Sequence, residues 1–200
     1  MSATRPLPPA AVIMTHEITD WATWKPQFDA HEGARKAAGL LGHHINRNHD
    51  NPNLISLYLA VSDVTRAKAF AASPDLHRVM AAAGVKGAPT ATWVTPVAEH
   101  IVWDRELPAF MLSHTVADFD AWLAGYAAAE GVRQQGGIIG DAVNRSVEDP
   151  NTAVVYHQAA SHEALTAFLA HPGLKAAMAK AGVTGAPQVT FVTGGWAKMY

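Results

Sequence analysis

Ala83-Gly84-Val85-Lys86-Gly87-Ala88-Pro89 returns later in the chain as Ala181-Gly182-Val183-Thr184-Gly185-Ala186-Pro187, shifted by 98 residues. The same offset, without a gap, joins Thr15-His16 to Ser113-His114, Asp20 and Trp24 to Asp118 and Trp122, and Arg35, Gly39 and Gly42 to Arg133, Gly137 and Gly140. It also joins Asn46-Arg47 to Asn144-Arg145, Pro52-Asn53 to Pro150-Asn151, and Tyr58 to Tyr156. Compositional bias does not produce a gapless match of this length, so residues 11–96 and 109–194 are two copies of one unit. A period near 100 is too long for a solenoid repeat and makes each copy domain-sized. The expected division is a first repeat over 1–98, a linker over 99–108 and a second repeat over 109–200.

Within one copy, 11–16 is a short apolar run, read as a strand. Asp20 stands at an N-cap position before Trp21, Trp24 and Phe28, which share one helical face. That helix is expected to reach Lys36 and to stop at Gly39. Residues 41–49 and 54–60 read as a hairpin around Asp50-Asn51-Pro52-Asn53. Residues 63–83 are Ala-rich and helical, with Ser73-Pro74 opening a new helix. Thr90 to Thr95 is a β-branched fourth strand. The order β-α-β-β-α-β, twice, is the ferredoxin-like order of an α+β protein. Such a unit covers one sheet face with helices and leaves the other apolar, so the two repeats are expected to close an intramolecular, pseudo-dimeric α+β barrel.

The chain resembles the dimeric α+β barrel superfamily. The likeness rests on the element order, the Asp-Trp/Phe-x-x-Trp opening of the first helix, the Pro-Asn hairpin and the Ala-Gly-Val-x-Gly-x-Pro approach to the last strand. That group includes antibiotic-biosynthesis-type monooxygenases, haem-degrading enzymes, muconolactone isomerases and many uncharacterised proteins. The resemblance implies a cofactor-independent oxygenase, isomerase or cyclase-like activity on a hydrophobic, aromatic or polyketide-like molecule in a barrel cavity. The alternative is a non-catalytic small-molecule-binding or stress-related module. In haem-degrading relatives an Asn, a Trp and a His matter, but Asn46, Trp93 and His16 do not match that motif position by position.

Composition narrows the field. Of 200 residues, 49% are hydrophobic and 16% charged, with a net charge of −2 and no cysteine. The missing thiols exclude disulfides, zinc–thiolate sites and thiol catalysis. No basic stripe argues for nucleic acid, and no apolar run approaches the roughly 18 residues of a spanning helix. The stretch from Met1 to Ala11 lacks an apolar core and is not read as a signal peptide. A cytoplasmic protein is therefore expected, without metal or cofactor, either a monomer with pseudo-twofold symmetry or a homodimer.

The candidate chemistry is repeated. His16 and His114 end the first strands, in the alternations Val12-Met14-His16 and Phe110-Leu112-His114. They read either as general bases at the mouth of the barrel or as local partners of Asp20 and Asp118. Tyr58 and Tyr156 lie opposite the greasier face Ile55-Leu57-Leu59, so they should point into the barrel as ligand-orienting groups or as filling. Asn46 and Asn144 are candidate substrate contacts on the second strand. Arg47 is expected to pair with Asp50, and Arg145 with Glu148 or Asp149. His43 and His49 share a strand face but lie roughly 20 Å apart, too far to share an ion. Trp93, matched by Phe191, and His157, matched by Leu59, complete the candidate substrate contacts. The symmetry also breaks at His43/Asp141 and His44/Ala142.

Overall fold

The computed structural model describes residues 6–200; the first five residues of the stretch from Met1 to Ala11 lie outside the described residues. The first repeat runs β1 (Ala10–Ile18), α1 (Trp21–Ala30), α2 (Glu32–Ala37), β2 (Leu40–Asn48), β3 (Leu54–Val61), α3 (Val64–Ala71), α4 (Pro74–Ala82) and β4 (Val85–His100). The second runs β5 (Leu107–Val116), α5 (Phe119–Ala128), α6 (Glu130–Gln135), β6 (Ile138–Ser146), β7 (Thr152–Ala159), α7 (His162–Ala170), α8 (Pro172–Lys180) and β8 (Val183–Met199). This is the ferredoxin-like α+β order in both copies.

The chain forms two compact units. One contains Pro8–Val94 with Gly195–Tyr200, and the other contains Thr95–Gly194. In the first, the antiparallel sheet runs β4-β1-β3-β2, and the end of β8 follows β2. In the second it runs β8-β5-β7-β6, and the end of β4 follows β6. Each of the long strands β4 and β8 thus serves one sheet with its first part and the other with its last residues. Gly42 is a glycine because β2 and the end of β8 approach closely: a Cβ there would lie 2.7 Å from the Lys198 carbonyl oxygen.

Local chemistry explains the elements. Asp20 and Asp118 cap α1 and α5, accepting from the Thr23 and Ala121 amides at 2.7 Å each. Ser73 caps α4 by accepting from the Leu76 amide at 3.2 Å, and Pro74 opens the helix where its missing N–H costs nothing. Gly84 and Gly182 stop α4 and α8 with φ of 76° and 75°, a left-handed turn that a β-carbon would strain. The single helix expected to reach Lys36 is two: His31 and Ala129, with ψ near 11° and 12°, break the helical run in both copies.

Each unit has its own core between sheet and helices. In the first it includes Trp24, Phe28, Ile45, Ile55, Leu57, Leu59 and Trp93. In the second it includes Phe110, Leu112, Phe119, Trp122, Val143, Leu165 and Phe168. Side chains of this size each stabilise by about 1.5–3 kcal/mol when fully buried. Helices α4 and α8 differ from the others in this core, since neither buries a side chain completely.

Candidate functional site

In each unit a cavity separates the sheet from its helices. The first-unit cavity is about 70 Å³, with Met14, His16, Trp24, Phe28, Met80 and Trp93 among its walls. The second is about 80 Å³, with Leu112, His114, Trp122, Tyr126 and Met178 in the matching places and His157, the counterpart of Leu59, also in its wall. Both open partly to solvent and are almost wholly apolar.

His16 and His114 lie in these walls, not at the mouth of a barrel. The register gives the reason. His16 stands opposite Ile55, Met14 opposite Leu57 and Val12 opposite Leu59. Directly paired residues share a sheet face, so the imidazole must share the helix-covered face of Ile55-Leu57-Leu59. His114, opposite Ala153, is placed alike. Each also falls at an irregularity of the ladder. The pairing of β1 with β4 shifts between Thr15 and Glu17, and that of β5 with β8 between Ser113 and Thr115. Such bulges re-aim a side chain.

Both rings are buried, at 5% and 8% exposure, and neither nitrogen of either ring has a hydrogen-bond partner. The expected local bond to Asp20 or Asp118 is therefore not made; those carboxylates cap their helices. The rings instead face aromatics, His16 with its centroid 6.0 Å from Trp24 and His114 5.3 Å from Trp122 in an edge arrangement. Burial in apolar surroundings disfavours the imidazolium and lowers both pKa values to about 4. At neutral pH each is a neutral imidazole with one unused donor and one unused acceptor.

Around the second cavity a polar network follows. Arg133 Nε donates to Asp141 Oδ2 at 2.9 Å, and the Tyr126 hydroxyl donates to the same oxygen at 2.9 Å. His100 Nδ1 lies 3.0 Å from Asp141 Oδ1, and His157 Nε2 lies 3.0 Å from the Tyr126 hydroxyl. Burial works against the Asp141 carboxylate, but the bonds from His100 and Tyr126 and the Arg133 charge outweigh it and hold its pKa below the ordinary value. Burial, reinforced by the Asp141 charge, pushes the Tyr126 phenol up. Burial also lowers His157 to about 3. In the first unit Arg35 meets a different partner: its Nε donates to the Tyr200 hydroxyl at 2.5 Å, and His43 Nδ1 lies 2.9 Å from that oxygen.

The structure brings some sequence candidates together and separates others. Trp93 and His157 share cavities with His16 and His114 respectively. Tyr58, Tyr156, Asn46 and Asn144 do not: strand alternation puts them on the sheet face turned away from the helices. There Tyr58 stands opposite Ile13 and His44, Asn46 opposite Ser56, Tyr156 opposite Met111 and Ala142, and Asn144 opposite Val154. The expected hairpin ion pairs of Arg47 and Arg145 are also replaced. Their Nε atoms donate to the Pro52 and Pro150 carbonyls at 3.0 and 2.7 Å, and their guanidinium groups lie over Trp21 and Phe119 at 4.7 and 4.6 Å. Arg145 forms its ion pair with Asp120. An exposed ion pair is worth little, so a ring face and a carbonyl are enough to decide where these guanidinium groups lie. Tyr126 was missed as a site residue; the signal was there, because Phe28 occupies its place in the first copy.

The profile of the antibiotic biosynthesis monooxygenase family matches residues 115–180. The similarity to that family thus lies within the second repeat. None of the curated proteins matches the chain in sequence. Solved structures share the fold across both repeats. An anthrone oxidase-like protein is 15% identical with a TM-score of 0.66, the match covering 100% of this chain and 95% of that one. An uncharacterised ferredoxin-fold protein related to antibiotic biosynthesis monooxygenases, from Listeria monocytogenes 4b F2365, is 9% identical with a TM-score of 0.56, covering 93% and 94%. A haem-degrading enzyme from Listeria monocytogenes is 7% identical with a TM-score of 0.52, covering 90% and 97%. At these identities the likeness is one of fold, the ferredoxin-like dimeric α+β barrel type. No helix among the described residues is long and apolar enough to cross a membrane.

Proposed function

We propose that the cavity between sheet and helices in each unit binds a small hydrophobic molecule with a polar group. His114, and His16 in its own cavity, then exchange a proton with it in a cofactor-independent oxygenase-, isomerase- or cyclase-type reaction. One observation carries this reading: in both repeats an imidazole in the cavity wall is buried at a strand irregularity with both nitrogens unpaired. A buried polar group without a partner costs roughly 1–3 kcal/mol, and retention of that cost twice fits a group kept for a ligand.

The chemistry follows from the surroundings. Apolar walls strip water from the ligand, and a neutral imidazole stands ready to accept its proton. A pKa near 4 makes a weak base in the empty site. A developing enolate or phenolate beside the ring reverses that, since an adjacent anion favours the imidazolium. A cavity near 80 Å³ is well below the roughly 300 Å³ of a drug-sized pocket. It suits one ring of a ligand, with the remainder at the opening, and argues against a whole porphyrin. The low basicity also favours the second reading, a binding module without turnover.

Thermal shift against a panel of aromatic and polyketide-like compounds, followed by oxygen uptake and product analysis on the hits, tests this. Hits with turnover lost in His114→Ala support the enzyme reading, and hits without turnover leave the binding module. Silence across the panel contradicts both.

A further inference from the structure

The two cavities are built on one plan but differ at three matched positions. Phe28, Leu59 and His43 in the first repeat stand where the second has Tyr126, His157 and Asp141. In the second repeat those three residues make one hydrogen-bonded chain, anchored by Arg133. In the first, Phe28 and Leu59 have nothing to contribute to such a chain, and Arg35 and His43 bond Tyr200 instead.

The chain fixes a tautomer. Asp141 receives Arg133, His100 and Tyr126 and acts as an ionised acceptor. The phenol of Tyr126 has one proton, and it points to Asp141 Oδ2. His157 Nε2, 3.0 Å from the phenol oxygen, must then supply the proton of that bond. Nδ1 of the same ring is left as a bare lone pair. His157 is 4% exposed, and Nδ1 is buried without a partner in the wall of the cavity.

We propose that the second-repeat cavity selects ligands carrying a hydrogen-bond donor, a hydroxyl or N–H on a small apolar body, and that His157 Nδ1 is the acceptor that selects them. Tyr126 and Asp141 act as positioning residues that hold this nitrogen unprotonated. The first-repeat cavity, with Leu59 at this place, lacks this additional acceptor and keeps only that of His16, so its selection is weaker. The proposal rests on the reading that these cavities bind small molecules, and it assigns them different ligands.

Phenol, toluene and anisole provide the test on the full chain. Toluene replaces the hydroxyl by a methyl, and anisole keeps an oxygen acceptor without the donor. Titrations followed through the indole N–H resonances of Trp122 and Trp24 report the second and first cavities separately, since each ring lines its own. A satisfied buried hydrogen bond should make the preference for phenol over toluene about tenfold larger at Trp122 than at Trp24. His157→Leu installs the residue the first repeat already packs, and should reduce the second cavity's preference to that of the first while toluene affinity holds. Tyr126→Phe likewise copies Phe28; it releases the tautomer, and the gap between phenol and anisole should narrow several-fold. A purely structural role for Tyr126 would weaken all three probes alike. Equal preferences at the two cavities, or an unchanged preference in His157→Leu, overturn the assignment while leaving the cavities as binding sites. If no probe moves either indole, the binding reading itself fails and this assignment falls with it.

Discussion

Acidification should unfold this protein well above the pH at which its carboxylates protonate. His16, His43, His44 and His114 have pKa values lowered from 6.5 to about 4, and His157 to about 3, with burial the leading cause in each. The sign follows from linkage. Below pH 6.5 the unfolded chain takes up protons at these rings and the folded chain does not, so stability is lost as pH falls from 6.5 toward 4. At pH 5.5 each ring favours the unfolded state by about 1 kcal/mol relative to neutral pH, and the five together by roughly 6 kcal/mol. A domain-scale stability of 5–15 kcal/mol does not survive much more than that. Chemical denaturation at half-unit steps from pH 8 to 4.5 should show stability falling by roughly 6 kcal/mol per pH unit near pH 5.5, with collapse between about pH 4.5 and 6. Lowered carboxylates such as Asp141 add their loss only below about pH 4, so the two windows separate. A stability that stays flat from pH 7.5 to 4.5 would refute the claim that these rings are buried neutral.

Three further outcomes follow from the same geometry. His114→Leu should raise the stability of the ligand-free protein by about 1–3 kcal/mol in urea unfolding at pH 7.5, because it removes two unpaired polar atoms from an apolar wall; a loss of stability would mean that the ring serves folding. Asp141→Leu strands the Arg133 charge, at 9% side-chain exposure, and should cost about 3–5 kcal/mol in the same assay. Hydrogen exchange should find α4 and α8 the least protected helices of their units, since neither buries a side chain completely while both line a cavity; protection equal to that of α5, which buries Phe119 and Trp122, would contradict this.

Local signals in the sequence carried most of the architecture. Asp20 and Asp118 do what aspartate does before a helix, Ser73-Pro74 starts a helix, and Gly84 and Gly182 end theirs. Long-range pairing was less legible. The fourth strand was expected over Thr90 to Thr95, but β4 runs to His100 because its last residues continue in the sheet beside β6, and no local propensity encodes that neighbour. The site depended on the same missing information. Alternation showed that Val12, Met14 and His16 share a face, but which face needed the register to Leu59, Leu57 and Ile55. Once that register is known, the apolar face of β3 forces His16 under the helices. The polar chain of the second repeat was half visible: His157 and Asp141 stood out as departures from the repeat, whereas the change from Phe28 to Tyr126 looks like one aromatic for another until the hydroxyl is seen at Asp141.

The central claim is that the imidazoles of His16 and His114 are unpaired because they await a ligand. Long-range ¹H–¹⁵N spectra of the imidazoles, recorded with and without saturating phenol, test it directly. The account predicts that the His114 resonances shift as a nitrogen gains a hydrogen-bond partner, with His16 responding in its own cavity, while exposed histidines hold still. Phenol binding that leaves both His114 and His16 unmoved would contradict it.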